Sequence, residues 1–301
     1  MMGDEVLNDI KKPQIYIITP CYNSEQTIEQ TIMSVYLQYS DVNITYHIQD
    51  GGSTDGTLQL LKKWEEIFQT SRANITFSFV SEPDSGMYDA ISKGFDRFSI
   101  LDKDWMCWIN SDDQLSGLFS KTIAGLSRSY PEVQWLTGRT AVFDKQKKLH
   151  THDRFYSNLF LMNGLCNGKY WFFIQQEGTC WKASLWGKCN GKSLLSNYKL
   201  AGDFALWVNF AKHTQIYQVQ HPMGFFNMRD GQLSASQFDN YIKETLFSTD
   251  LNEASKHKMS NEIKNFQSHN LYLIDDKVEL KIEKITVGLN KKVTIVDEYV
   301  T

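Results

Sequence analysis

The sequence of 301 residues contains no long apolar run. Nothing in it approaches the roughly 18 residues a membrane-spanning helix needs. The opening MMGDEVLNDIKK has no apolar stretch behind a basic lead, so no signal peptide is read there. Both absences predict a protein made and kept in the cytosol. There is also no block of Lys and Arg, and the net charge is -4. That excludes the class of nucleic-acid grooves that work by neutralising phosphates. No CxxC pair occurs. Cys21, Cys107, Cys166, Cys180 and Cys189 are scattered and read as reduced thiols, and the sequons at Asn43 and Asn74 mean nothing without secretion. Internal repeats and low-complexity segments are missing too. No GxGxxG follows the first apolar run, no GxSxG is present, and GKCNGKS at 187–193 is one residue short of a phosphate-binding P-loop. HTHD at 150–153 reads as a solvated loop rather than a metal site.

What is present is the balance of an ordinary folded chain, 42% hydrophobic and 22% charged. Its length suits one large domain, with or without a small appendage. The first 140 residues alternate strand and helix. Strands are expected at 14–19, 45–49, 76–81, 105–109 and 134–140. A helix capped by Ser24 should turn Ile28, Ile32, Val35 and Tyr39 to one face. A second, capped by Thr54 or Asp55, should do so with Leu58, Leu61, Trp64 and Phe68, and a third spans 88–95 with Ile91 and Phe95 inward. Such repeated units imply a mostly parallel sheet covered on both faces. Residues 144–191 read as long loops and short helices walling a site. A helix follows at 200–212, with Phe204, Trp207 and Phe210 or Ala211 inward. Beyond Gln232 a polar helical stretch precedes 278–300, where two strands around 288–292 are expected.

Parallel sheets bind ligands beyond the carboxyl ends of their strands. The residues able to do chemistry gather there: TPCYNSE after the first strand, DGGSTDGT after the second, EPDSGMYDA after the third and NSDD after the fourth. In NSDD, Asp112 and Asp113 are adjacent carboxylates that a hard cation would reconcile, although a turn with an Asx cap explains them as well. In DGGSTDGT the glycines let a ligand approach the backbone, and Asp50 can accept from a base or ribose; a tight turn and helix cap account for the rest. Asp84 lies in a loop. Asp89 suits a helix start on dipole grounds alone, with Lys93 one turn on. Asp203, in AGDFALW, is either a helix cap or a general base.

Taken together, these loops resemble family 2 of the inverting glycosyltransferases. The signature segments are TPCYNSEQTIEQTIMSV, IQDGGSTDGT, SEPDSGMYDAISKG, WINSDD, and QQEGTCWKASLW followed by LAGDFALWVNFAK. Within that family the chain is most similar to bacterial enzymes that build colanic-acid-type surface polysaccharides. The resemblance implies a GT-A-type three-layer α/β/α sandwich with a mostly parallel central sheet over 13–234. A small C-terminal extension of unknown role, helix then short strands, occupies 235–301. It implies that Thr19, Pro20, Tyr22, Glu25, Asp50, Asp84, Lys93 and Arg229 contact the nucleotide. Asp112, Asn110 and Asp113 would hold Mn²⁺ or Mg²⁺, with Asn110 departing from a strict DxD. Gln176, Glu177 and Trp181 would face the acceptor, and Asp203 would be the catalytic base. The implied reaction is single-displacement transfer from a nucleotide-diphospho-sugar, with a UDP-sugar favoured, to a glycan or lipid-linked acceptor at the inner face of the membrane. A sugar nucleotidyltransferase and a non-catalytic sugar-nucleotide-binding or glycan-binding module are the alternatives.

Overall fold

A computed structural model describes residues 12–39, 41–232, 236–274, 277–288 and 293–300. The opening MMGDEVLNDIK, the 234/235 boundary between the two expected regions, and the turn expected at 289–292 lie outside the described residues. No helix among the described residues is long and apolar enough to cross a membrane.

The apolar runs become strands buried on both faces. β1 (Gln14–Cys21) runs parallel to β2 (Asn43–Asp50) and β4 (Trp105–Trp108), and β2 runs parallel to β3 (Ile75–Ser81). Cys21 registers with Asp50, and Asp50 with Ser81, so the three carboxyl ends finish level with one another. Strand periodicity then sorts the helices. Ile18 meets α3 (Met87–Asp96) on one face, at Gly94, where an added Cβ would lie 2.6 Å from the Ile18 Cγ2. Tyr46, paired with Ile17 on the opposite face, meets Phe68 of α2 (Thr57–Ser71) edge to face at 6.3 Å. The sheet is therefore a middle layer between helices. α1 (Ile28–Tyr36) packs beside α2, and its Ile28, Ile32 and Val35 are buried. It stops short of Tyr39, which is exposed rather than on the buried face. Ser24 does not cap it with its side chain: its carbonyl accepts from the amides of Thr27 and Ile28.

Beyond β4 lie segments the sequence read as loops. β9 (Thr179–Lys182) enters the middle of the sheet, antiparallel to β4 and to β6 (Trp135–Thr137). The strand expected at 134–140 breaks at Gly138. β6 stays in the main sheet, while β7 (Thr140–Phe143) joins β5 (Gln114–Leu115), β8 (Leu149–His152) and β11 (Gly224–Asn227) in a small second sheet. α4 (Phe119–Ser129), α5 (Asn158–Met162), α6 (Ala183–Lys188) and α7 (Gly191–Leu195) fill the connections. α8 (Gly202–Ala211) is buried on nearly every side. Its Trp207 stacks on Trp108 of β4 at 6.2 Å and on Trp135 of β6 at 5.8 Å, which fixes the helix to the sheet.

The C-terminal residues continue this sheet. After β10 (Tyr217–Val219) and β11, the chain forms α9 (Phe238–Thr245) and α10 (Glu253–Glu262). β12 (Asn265–Ile274) then runs parallel to β10, and β13 (Lys277–Val287) and β14 (Val293–Val300) extend the edge antiparallel. Among the described residues the sheet has ten strands in the order β14-β13-β12-β10-β6-β9-β4-β1-β2-β3. β12 was not anticipated, because the sequence before residue 278 reads as polar helix throughout.

Candidate active site

The loops after β1 and β2 are knitted together. Asn23, in the left-handed region at φ 47°, accepts from the Thr54 amide at 2.8 Å, and its own amide donates to the Ser53 Oγ at 2.7 Å. The Ser24 amide donates to the Thr57 Oγ1 at 2.8 Å, and the Gly56 amide donates to the Glu25 Oε2 at 2.5 Å. Asp50 is fully buried. It accepts from the amides of Gly52 (3.1 Å) and Ser53 (2.9 Å) and from the hydroxyls of Ser53 and Ser81. Its carboxylate therefore shapes the DGGST turn. Asp84 lies against the turn from the third loop: a Cβ on Gly51 would stand 2.6 Å from its Oδ2, so any larger residue there would have to push the Asp84 carboxylate aside. Thr19 and Pro20 are buried, with the Thr19 hydroxyl 3.2 Å from that of Tyr46, whereas Tyr22 just past β1 is 61% exposed. Lys93 is tied up, paired with Asp89 at 3.0 Å and donating to the Pro83 carbonyl.

NSDD joins this group through Ser111, whose Oγ is 2.8 Å from that of Ser24. Its two carboxylates diverge. Asp112 meets the Arg229 Nε at 2.6 Å and the Gln232 Nε2 at 3.2 Å, and its side chain is 10% exposed. Asp113 points inward, accepting from the Asn227 amide at 2.8 Å and the Asn110 Nδ2 at 3.2 Å. It also hydrogen-bonds Glu177. Burial, with the Glu177 charge adding to it, holds the Asp113 carboxyl well above the usual range; burial, with the charges of Asp203 and Asp112 adding to it, pushes Glu177 up to about 7 although its hydrogen bond to Asp113 acts the other way. The two carboxyls thus share a proton instead of facing each other as charges. Glu177 sits beneath NSDD, and Gln176, also buried, donates to the Trp108 carbonyl at 2.6 Å. Trp181 is 0% exposed within the tryptophan cluster and reaches no acceptor.

Asp203 is in the first turn of α8, whose cap is Ala201. It accepts from the Phe204 amide at 2.8 Å, and burial pushes it up to about 6. Two residues that sequence reasoning missed hold it in place. The Tyr88 hydroxyl accepts from the amides of Gly202 (2.9 Å) and Asp203 (3.3 Å) while donating to the Leu200 carbonyl at 3.0 Å. Glu244, on α9, accepts from the amides of Lys199, Leu200 and Ala201. The one available signal was Gly202, where a Cβ would come within 2.8 Å of the Tyr88 ring. The charge of Asp203 also reaches Glu177, which lies beneath NSDD. Hydrogen bonds therefore join the nucleotide-side turn to NSDD through Ser24, which meets Thr57 and Ser111, and join Asp203 to Tyr88 in the helix that follows the EPDSG loop.

Among the described residues no three His, Cys, Asp or Glu side chains form a group able to hold a metal ion. Mg²⁺ on a diphosphate needs only one or two protein carboxylates, with phosphate and water supplying the rest. Asp112 fits that limited part, since it already faces a cation. Asp113, committed to Glu177, does not.

The comparisons agree with this geometry. Residues 1–349 of S. aureus TarS, crystallised with UDP-GlcNAc, superpose with a TM-score of 0.57 at 15% identity, covering 81% of this chain and 69% of that one. The mannosyltransferase PcManGT of Pyrobaculum calidifontis, bound to GDP-Man and Mn²⁺, gives 0.55 at 14% identity, covering 84% and 70%. The fold is the GT-A fold. In sequence, TuaG of Bacillus subtilis, named for teichuronic acid biosynthesis as a glycosyltransferase, is 33% identical over 103 residues, 34% of this chain and 37% of its own. An uncharacterized glycosyltransferase of Mycobacterium tuberculosis is 29% identical over 121 residues, 40% and 42%. The chain thus aligns with less than half the length of these relatives. The sequence model of glycosyl transferase family 2 matches residues 16–187, more than half of the chain, which therefore belongs to that family.

Proposed function

We propose that the protein is an inverting glycosyltransferase, moving a sugar from a nucleotide-diphospho-sugar to a hydroxyl of a glycan or lipid-linked acceptor during surface polysaccharide synthesis. The observation that carries this reading is the set of hydrogen bonds that join the nucleotide-side turn to NSDD, and Asp203 to the helix behind the third strand-end loop. Asp203, raised to about 6, is ionised at neutral pH yet basic enough to take a proton from an attacking hydroxyl. One such carboxylate suffices for single displacement. The knitted loops and Asp84 bind the nucleoside, with Asp50 acting through the turn it shapes. A bound Mn²⁺ or Mg²⁺ would neutralise charge developing on the leaving diphosphate. Asp112 would hold that ion, and Arg229 would move from Asp112 to the phosphates. In this reading residues 13–234 carry the nucleotide loops, the ion site and the base, and Glu244 beyond them braces the start of α8. A UDP-sugar is the favoured donor, by analogy with the ligand of TarS, and the enzyme works in the cytosol or at the inner face of the membrane.

The test is a panel of UDP-, GDP- and dTDP-sugars incubated with Mn²⁺ or Mg²⁺ and with EDTA, followed by NMR of the product. Transfer that requires the ion and inverts the anomeric centre is expected. Retained configuration removes the single displacement, and full activity in EDTA removes the metal.

A further inference from the structure

The acceptor side still has no binding surface, because Trp181 is in the core and Glu177 is engaged by Asp113. We propose that the pyranose ring carrying the reacting hydroxyl is bound by an aromatic corner beside Asp203, formed by Phe173, Phe238 and Tyr241. This rests on the transferase reading and deepens it by naming what the base deprotonates. Phe238 and Tyr241, three residues apart on α9, have nearly parallel rings, 16° between planes and 6.4 Å between centroids. Phe173 stands across both, at 80° and 6.3 Å from Phe238 and at 65° and 5.7 Å from Tyr241. Single exposed aromatics need no explanation. Here Phe173 is 44% and Phe238 39% exposed although they touch, so the corner keeps ring surface open to solvent instead of closing on itself. It is also braced. Gly168, at φ +83°, lies so close beneath Phe173 that a Cβ would sit 2.3 Å from the ring, which places ring and backbone in direct contact.

The corner borders the base. Tyr241 packs on the cluster of Ala201, which caps α8, with Phe204 and Val208 of that helix, and Phe204 follows Asp203 directly. The Asp203 charge also acts on the Tyr241 hydroxyl, a sign of their proximity. An apolar bed beside a carboxylate suits a ligand with two kinds of surface. A pyranose has a C–H face, whose weakly positive hydrogens meet the negative face of an aromatic ring, and a rim of hydroxyls. A lipid tail would have no use for the carboxylate, and a phosphate would be repelled by it.

The probe is saturation-transfer NMR on the full chain with methyl pyranosides of glucose, galactose, mannose and N-acetylglucosamine. At least one should take up saturation, concentrated on ring C–H protons. The Phe173→Ala/Phe238→Ala double variant should lose most of it, and Phe238→Tyr, which keeps the ring, should retain it. UDP and GDP affinity should be unchanged in every variant, which reports an intact fold. In a transfer assay the double variant should raise the acceptor KM roughly five- to tenfold with little change in kcat, as for a contact made equally before and during reaction. Uptake by no pyranoside, or uptake undiminished in the double variant, overturns the proposal. Transfer that proceeds with an unchanged acceptor KM sinks the corner and leaves the transferase reading standing. Pyranoside binding through the rings, without transfer from any nucleotide sugar, does the reverse.

Discussion

At the scale of single residues, two carboxyls carry opposite assignments in one small volume. Asp203 works only when ionised, so kcat should fall about tenfold per pH unit below about 6 and level off above it. Asp203→Asn should reduce kcat by about 10²- to 10⁴-fold while leaving UDP affinity intact. The same variant should melt higher than wild type at pH 8, because it removes a charge that burial disfavours. Unchanged turnover would take the base role from Asp203. Glu177 has the complementary task of keeping a proton. Its carboxyl lies near 4.5 in an unfolded chain and about 7 here. The folded protein therefore holds a proton that the unfolded chain releases between those values. Stability should fall as pH rises from about 4.5 through about 7, with the full penalty present above that. Glu177→Gln should make the slope of the urea midpoint between pH 5 and 8 shallower, and an unaltered slope would mean that Glu177 holds no extra proton in the folded protein. Much of this was legible in the sequence. Asp112 and the DGGST turn stand out as polar residues at strand ends, and Asp203 as a carboxylate at the entry of an apolar helix. The inward turn of Asp113 was not, since adjacent letters say nothing about which of two carboxylates faces water.

At the scale of elements, legibility followed periodicity. α2, with four turns of regular spacing, declares its buried face at Leu61, Trp64 and Phe68. β9 declares nothing: TCWK is four residues long and lies between two other strands, so its character comes from neighbours distant in sequence. α9 was opaque for the same reason. Glu244 finds its partners at Lys199, Leu200 and Ala201, 43 to 45 residues earlier, and no spacing rule anticipates that. Three amides donate to this one carboxylate, two of the bonds half-buried and the Lys199 one exposed, so its loss should cost about 1 kcal/mol. Glu244→Ala should therefore lower kcat by loosening the start of α8, with UDP affinity unchanged. A variant that kept full kcat would show that α8 holds Asp203 without help.

At the scale of the whole molecule, the C-terminal residues are part of the same sheet. Gln218 and Val219 of β10 pair with Asn270 and Leu271 of β12, and the Gln220 amide continues the ladder to the Leu271 carbonyl at 2.9 Å. A chain ending at Gln232 would leave that edge of β10 bare, and open edges recruit other strands. Size-exclusion chromatography should find it aggregated, and a monomeric, cooperatively folding fragment would contradict this. The clamp from α9 onto the start of α8 has a consequence for descent as well. If α9 both greets the incoming sugar and steadies the carboxylate that activates it, its sequence cannot drift toward a new acceptor without disturbing reaction speed. A change of taste in this lineage would come by exchanging the tail as one cassette, and chimeras with a relative's C-terminal segment should inherit preference and rate together.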